Sequence, residues 1–537
     1  MQADQASSPT VEVNDCLIVG VLYSPPASNS YTRPVEVFYN IPYASTDRFC
    51  QARPVCLGSQ TSGTRLDASR LQFAGPDPGC TTSTLRLHIT RPSTASQEPL
   101  PVVVYFHGGA FNFGDPLETE SVSFVAHAQE DIIVVAVHYR LGALGFLAGE
   151  GETNLGLKDQ RLAVEWVHQW IPKFGGDPAL ITLRGVSAGA HSFSQIGHHM
   201  LNPSPLPFHK AILESGSPTT RSVLSASHPR TISNFDELRS SMLPIITPPG
   251  KVKVNFLMNA SIDVFSKHSE SLTWPFQPVV DGPGGIIPDL PLNLWQQKAS
   301  GQSTTAGSET SPPPAAVITG FCTSEGVDFI PQACKDFRSF FTKLIPSLTP
   351  TDLEALEALY PPGDQPSVVR RLGVAYGDYA YICPIIHTAH MISKLGGTVY
   401  LYEFAPLISE ASRTAPHASH SDFVTYSAEA TGYPGLRAVS QEMHTRWTEF
   451  VASPTGTFTE DRWPPFVTPF GQGNDDTKGK LLVFGQGNDE ALRSGNAGVP
   501  VQTRTLTKRE KEVCKFWWDR MELSQGDGNA GVVSEAY

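Results

Sequence analysis

No stretch of the chain is apolar for long enough to cross a bilayer. The longest apolar run, Ile132 to Leu147, is interrupted by His138 and Arg140 and reads as a buried strand followed by a turn. Basic charge is also scarce. Lys and Arg number 39 against 52 Asp and Glu, a formal net charge of −13, and no basic stripe runs along any segment. Nucleic acid and anionic membrane are therefore not expected as partners, and the acidity is read as serving solubility. The N-terminal Met1-Gln-Ala-Asp-Gln-Ala-Ser-Ser-Pro9 lacks the basic and apolar regions of a secretory leader. The expectation is an intracellular protein, the alternative a secreted one whose signal peptide has been removed. None of the eight cysteines has zinc-site spacing, so no metal is expected. Cys50, Cys56 and Cys80 cluster, as do Cys322 and Cys334, which suits disulfides, whereas Cys383 and Cys514 sit in apolar surroundings like buried thiols.

What is present is a globular composition, 40% hydrophobic, in a chain of 537 residues. That length suits several average domains or one large α/β domain with long loops. Short β segments come first, at Thr10–Val13, Leu17–Leu22, Val35–Tyr39 and Leu85–Ile89. Two continuous apolar runs follow, Pro101–Phe106 and Ile132–Val137, of the kind buried on both faces of a sheet. Gly156–Trp170 carries apolar residues at helical spacing and precedes a shorter strand, Leu180–Arg184. Strand, helix and strand in this order imply a mostly parallel sheet with crossover helices. Val317–Thr319 and Thr398–Tyr402 are candidate later strands, and Leu506–Met521 a closing helix. Residues 299–314, rich in Ser, Thr, Gly and Pro, read as a surface loop, and so does the duplicated Phe-Gly-Gln-Gly-Asn-Asp beginning at Phe470 and Phe484.

Two motifs carry chemistry. Gly185-Val186-Ser187-Ala188-Gly189 follows a predicted strand and precedes a predicted helix. That is the context of a nucleophile elbow, where a serine on a strained turn faces the reaction centre and small neighbours let helix and strand approach. His107-Gly108-Gly109-Ala110-Phe111 follows the strand ending at Phe106. Upstream of an elbow, such a loop supplies backbone donors to an oxyanion, here Gly109 and Ala110 together with Ala188.

These motifs form part of a longer series: Tyr139-Arg-Leu-Gly-Ala-Leu-Gly-Phe146, Asn154-Leu-Gly-Leu-Lys-Asp-Gln160, Phe174-Gly-Gly-Asp-Pro178 and Ala211-Ile-Leu-Glu-Ser-Gly-Ser217. The series resembles the type-B carboxylesterase/lipase family, of which cholinesterases and fungal lipases are members, over nearly the whole chain. The resemblance implies an α/β-hydrolase fold with a central, mostly parallel sheet flanked by helices and with large loop and helical insertions. Residues 1–537 are then a single domain, within which 221–315 form part of a cap.

The resemblance also implies a Ser-His-Glu triad. Gly320-Phe-Cys-Thr-Ser-Glu325-Gly326 matches the family's acid position, so Glu325 is the expected acid, with Ser215 as the serine that helps orient it. The family's base lies in a His-x-x-Glu/Asp-apolar-x-aromatic stretch, here within His417-Ala-Ser-His420-Ser-Asp-Phe-Val-Thr-Tyr426. Anchoring on Val424 and Tyr426 selects His420, with Phe423 replacing the acidic residue; His417 is the alternative. Val186 stands where the family usually has glutamate before the nucleophile, making the site more apolar. Phe111, Phe113, Phe321 and Phe329 are candidates for an apolar gorge, and Asp328 stands where cholinesterases have an aromatic. The expected activity is hydrolysis of a small-molecule ester, apolar or bulky, through an acyl-enzyme on Ser187, without a cofactor. Acyl transfer or lactone hydrolysis on the same triad is one alternative, a catalytically inactive binding protein another.

Overall fold

A computed structural model describes residues 2–3, 8–24, 33–58, 64–71, 82–93, 96, 98–148, 151–196, 208–220, 223–246, 275–300, 315–409, 413–427, 430–471, 477–492 and 495–525. Its centre is a twisted sheet built from β1 (Val21–Ser24), β2 (Val35–Asp47), β3 (Thr82–Pro92), β4 (Leu100–Phe106), β5 (Ile133–Val137), β6 (Gly176–Val186), β7 (Lys210–Glu214), β8 (Ala316–Cys322), β9 (Thr398–Phe404), β10 (Lys480–Gln486) and β11 (Val499–Thr505). Across the sheet they run β1-β2-β3-β5-β4-β6-β7-β8-β9-β10-β11. From β5 to β10 every neighbouring pair is parallel, while β1 to β3 and β11 pair antiparallel at the two edges. This is the α/β-hydrolase arrangement.

The burial pattern explains why these residues form central strands. Ile133-Val-Val-Ala-Val137 and Lys210-Ala-Ile-Leu-Glu214 are buried at every position, as β-branched and aliphatic runs covered on both faces must be. The covering helices include α1 (Leu155–Trp170), α2 (Ala188–Ile196), α3 (Cys383–Lys394), α4 (Pro434–Ala452) and α5 (Lys508–Trp518). Helix α4 ends on Lys210, whose fully buried ammonium donates to the carbonyls of Phe450, Val451 and Ser453. A cation from the neighbouring strand thus satisfies carbonyls that the helix end leaves without intrahelical donors.

Three expectations are revised. The Leu17–Leu22 run is split at Gly20, because Cys16–Val19 belongs to a small sheet with Thr10–Val13 and Thr64–Asp67, whereas β1 enters the main sheet. The second Phe-Gly-Gln-Gly-Asn-Asp copy is not all loop: Phe484–Gln486 closes β10, held by pairing with β9 on one side and β11 on the other. The Cys322 and Cys334 cluster, whose spacing suits a disulfide, holds two free thiols, and Cys50 is free as well. Cys322 is fully buried on β8 against His420. Cys80 and residues 301–314 lie outside the described residues.

Within 221–315, the described parts include the helices Pro229–Ile246 and Pro291–Ser300 and a two-strand pair, Leu224–Ser225 with Val279–Val280. Asn112 fastens this region to the loop after β4 by exchanging hydrogen bonds with the Phe276 backbone. Asn154 does the same for the start of α1 with Val279. Among the described residues no helix is long and apolar enough to cross a membrane.

Candidate active site

Strand β6 ends at Val186 and α2 begins at Ala188, leaving Ser187 alone on the corner with φ of +52°. That left-handed conformation costs a non-glycine residue energy, and bonds on both sides hold it. Ser187 N–H donates to the Glu214 carbonyl at 2.8 Å, and the Ser187 carbonyl accepts from His191 N–H at 2.9 Å. The small neighbours have a steric cause. A Cβ on Gly189 would stand 2.1 Å from the Phe106 carbonyl oxygen, so only glycine lets α2 lie this close to the end of β4.

The loop after β4 makes a tight turn. Asn112 and Phe113 N–H both donate to the Gly109 carbonyl, at 2.9 and 3.1 Å. Gly109, Ala110 and Phe111 all have positive φ, +103°, +50° and +67°. At Gly109 the lack of a side chain is required twice, by that φ and because a Cβ would meet the Phe113 carbonyl at 2.0 Å. The bonds of the turn run into the Gly109 carbonyl. The turn passes beside the elbow: a Cβ on Gly108 would lie 3.1 Å from Ser187 Cβ.

Glu325 lies in the loop after β8, 1% exposed. Its Oε1 accepts from Ser215 Oγ and from Cys322 N–H, each at 2.7 Å, and its Oε2 faces His417 Nδ1 in a short contact. Burial by itself would raise this carboxyl. The His417 charge and the bonds from His417, Ser215 and Cys322 outweigh it and hold the group below its ordinary value. Ser215, with φ of +49°, is set by its own N–H donating to the Gly320 carbonyl at 2.9 Å.

The histidine against Ser187 is His417. Its Nε2 is 2.8 Å from Ser187 Oγ while its Nδ1 meets Glu325, forming a continuous serine–histidine–carboxylate chain. His420, the residue selected by the Val424 and Tyr426 anchor, is not in it. It is fully buried on the far side of the turn, with Nδ1 3.2 Å from Cys322 Sγ and Nε2 3.9 Å from Glu214 Oε2. Anchoring on Phe423 as the aromatic gives the register that agrees with this geometry. His417 then takes the base position, and His420 occupies the place of the pattern's acidic residue. The acidic residue whose absence obscured the motif is replaced by a second histidine.

The remaining expectations divide. Phe329 lies edge-on to His417 with ring centroids 5.2 Å apart, and Tyr381, which sequence reasoning missed, lies 4.5 Å from it. Tyr381 is carried by a π-helical turn, Asp378–Ile382, and stacks on Phe329 at 5.6 Å. A π-turn of this sort often marks a functional segment, but from sequence it merges into α3. Phe111 and Phe321 are core residues, and Phe113 is exposed. Among the described residues no group of His, Cys, Asp and Glu could hold a metal ion.

Comparison with known proteins agrees with the architecture. Residues 7–477 match the model of the carboxylesterase family. A relative named Secreted lipase 4, from Gibberella zeae, is 31% identical over 78% of this chain and 75% of its own length. One named inactive carboxylesterase-like protein VdtD, from Byssochlamys spectabilis, is 27% identical over 78% of this chain and 79% of its own. Among solved structures, Aspergillus niger EstA superposes with a TM-score of 0.73 at 22% identity, covering 97% of this chain and all of that one. A PNB esterase does so at 0.71 and 21%, covering 95% of this chain and all of its own.

Proposed function

Because the chain belongs to the carboxylesterase family, in the class of serine carboxylic ester hydrolases, we propose that it cleaves carboxylic esters through an acyl-enzyme on Ser187. His417 is the general base and Glu325 the carboxylate that orients it. The observation that carries this reading is the pair of contacts His417 makes, Nε2 to Ser187 Oγ at 2.8 Å and Nδ1 to Glu325.

In the forward step His417 Nε2 takes the Ser187 hydroxyl proton as Oγ bonds to the ester carbonyl carbon. Glu325 keeps the Nδ1 proton in place and stabilises the imidazolium that forms. The tetrahedral oxyanion is received by N–H groups of Gly109, Ala110 and Ala188, the last at the start of α2. Collapse expels the alcohol, which takes the proton from His417. Water then repeats the sequence on the acyl-enzyme and releases the acid. The ester is an apolar or bulky small molecule, a choice supported by Phe329 and Tyr381 beside His417 and by Val186 where the family usually has glutamate. The name of the Gibberella relative supports export of this chain over an intracellular home, which locating activity in cells or in medium would test.

The test is hydrolysis of p-nitrophenyl butyrate, and labelling by a fluorophosphonate, for the wild type and Ser187→Ala. Turnover and labelling that both vanish in Ser187→Ala are expected. A wild type that is neither labelled nor active would refute the proposal and favour the inactive alternative, which the name of the Byssochlamys relative brings into view.

A further inference from the structure

The turn that carries His417 is a strained piece of chain. Ala418 has φ of +60°, and Ser419 N–H and Oγ both fold back onto the Pro416 carbonyl at 3.2 and 2.7 Å. Before the turn, a backbone bond from Ser324 N–H to the Ala415 carbonyl at 3.0 Å joins it to the Glu325 loop. Beyond His417, three side chains reach back to the sheet: Ser419, its Oγ 3.8 Å from Cys322 Sγ, Phe423, packed against Phe404, and, closest to the Glu325 loop, His420. It is fully buried, and its Nδ1 meets Cys322 Sγ at 3.2 Å.

Cys322 is where both halves of the His417–Glu325 pair are secured. Its N–H donates to Glu325 Oε1 at 2.7 Å, and its thiol receives the His420 ring. We infer that His420 is a positioning residue: its imidazole hangs the His417 turn on β8 through Cys322 and so keeps His417 within reach of Ser187 and Glu325. This rests on the proposed triad and extends it to a residue outside the triad.

The surrounding chemistry sets the direction of the bond. The Glu214 carboxylate facing His420 Nε2 favours a proton on that nitrogen and leaves Nδ1 to accept from the Cys322 thiol, which burial keeps protonated. The imidazole proton is then on Nε2, which points toward Glu214 Oε2 at 3.9 Å, beyond direct bonding distance. Glu214 on β7 is itself occupied by Arg184 from β6 and by Trp447 Nε1 from α4 at 2.7 Å. Tyr402 and Phe404 of β9 place ring edges on the imidazole, 5.7 and 6.2 Å between centroids. Burial, reinforced by the Arg184 and His417 charges against the pull of Glu325, lowers His420 to about 3, so it is neutral in use. The family pattern has an acid at this position. Here the buried acid is Glu214, and a neutral ring opposite it avoids two carboxylates within about 4 Å, an arrangement in which both cannot ionise.

The experiment compares His420→Ala, His420→Asn and His420→Gln, with kcat and KM measured on p-nitrophenyl butyrate and melting temperature recorded for each. An asparagine amide occupies the place of Nδ1 and can meet Cys322; a glutamine amide reaches the place of Nε2, toward Glu214. His420→Ala is expected to lower kcat about 10- to 100-fold with KM within about twofold, since a displacement of roughly 1 Å costs that much. His420→Asn is expected to keep kcat within about threefold of wild type and His420→Gln to resemble alanine. If the alanine variant fails to fold, the asparagine–glutamine contrast decides. Rescue by glutamine and not asparagine overturns the inference, as does full kcat in all folded variants or a change confined to KM. Ser187→Ala separates the two levels. Activity that survives it sinks the triad reading itself, whereas Ser187-dependent activity indifferent to His420 sinks this inference alone.

Discussion

Replacing Glu325 by glutamine leaves shape nearly unchanged and reverses one hydrogen bond. The carboxylate accepts three: from Ser215 Oγ and Cys322 N–H at Oε1, and from His417 Nδ1 at Oε2. In Glu325→Gln, the amide oxygen has to stay where two donors converge, on Ser215 and Cys322. The amide NH2 is thereby turned on His417 Nδ1. Two donors cannot face each other, so the histidine gives up its Nδ1 proton and carries it on Nε2, pointing at Ser187 Oγ. A ring protonated there cannot accept the serine proton. The wrong tautomer in a serine triad costs about 10⁴-fold in kcat, which is about 5 kcal/mol of barrier. Stability should change far less, because the weaker neutral bonds are offset by relief from burying a charge. The assay is kcat for p-nitrophenyl butyrate together with the rate of fluorophosphonate labelling and the melting temperature. A labelling rate within tenfold of wild type, in a protein that melts within a few degrees of it, would refute the role of Glu325.

Two further outcomes follow from packing and titration. Gly189→Ala drives a Cβ to 2.1 Å from the Phe106 carbonyl and 2.9 Å from that of His107. Both are backbone atoms that cannot step aside, so chemical denaturation should show a loss of about 1–3 kcal/mol and fluorophosphonate labelling should slow by more than tenfold. Burial is the main cause holding His88 at about 3 and His107 and His444 at about 4. Unfolding frees these rings to bind protons near their ordinary value of about 6.5. Their contribution is therefore complete above that pH and is lost as pH falls toward 4, on the order of 1–2 kcal/mol for each ring between pH 6.5 and 5. Melting temperature measured from pH 8 to pH 4 should hold steady and then drop below about pH 6.5; a flat profile to pH 4 would contradict it.

Much of the molecule could be read from local pattern. Val102 to Phe106 and Ile133 to Val137 are strands because their apolar runs suit burial on both faces, and both are buried as that requires. Ser187 and the glycines around it announce a corner because only small residues fit there. The edges were less legible. Strand β11, Val-Pro-Val-Gln-Thr-Arg-Thr, has no buried position and offers little apolar signal; pairing with β10 makes it a strand. Phe484-Gly-Gln486 looks like loop for the same reason, and neighbours on both sides draw it into the sheet. The π-turn that places Tyr381 on His417 has no local signature distinguishing it from the helix that follows.

The sequence by itself determined the succession β4, β5, α1, β6 and the serine at the corner, because each depends on residues adjacent in the chain, and its resemblance to a family pointed to the glutamate after β8. Only the tertiary structure decided which of His417 and His420 faces Ser187. These two side chains lie three residues apart on one turn and have the same chemistry, so no local propensity separates them. What separates them is which ring faces Ser187, 230 residues away, and which faces Cys322 on β8. Hydrogen-bond reach of about 3 Å is a property of the folded arrangement of β6, β8 and this turn, and the motif alone does not contain it.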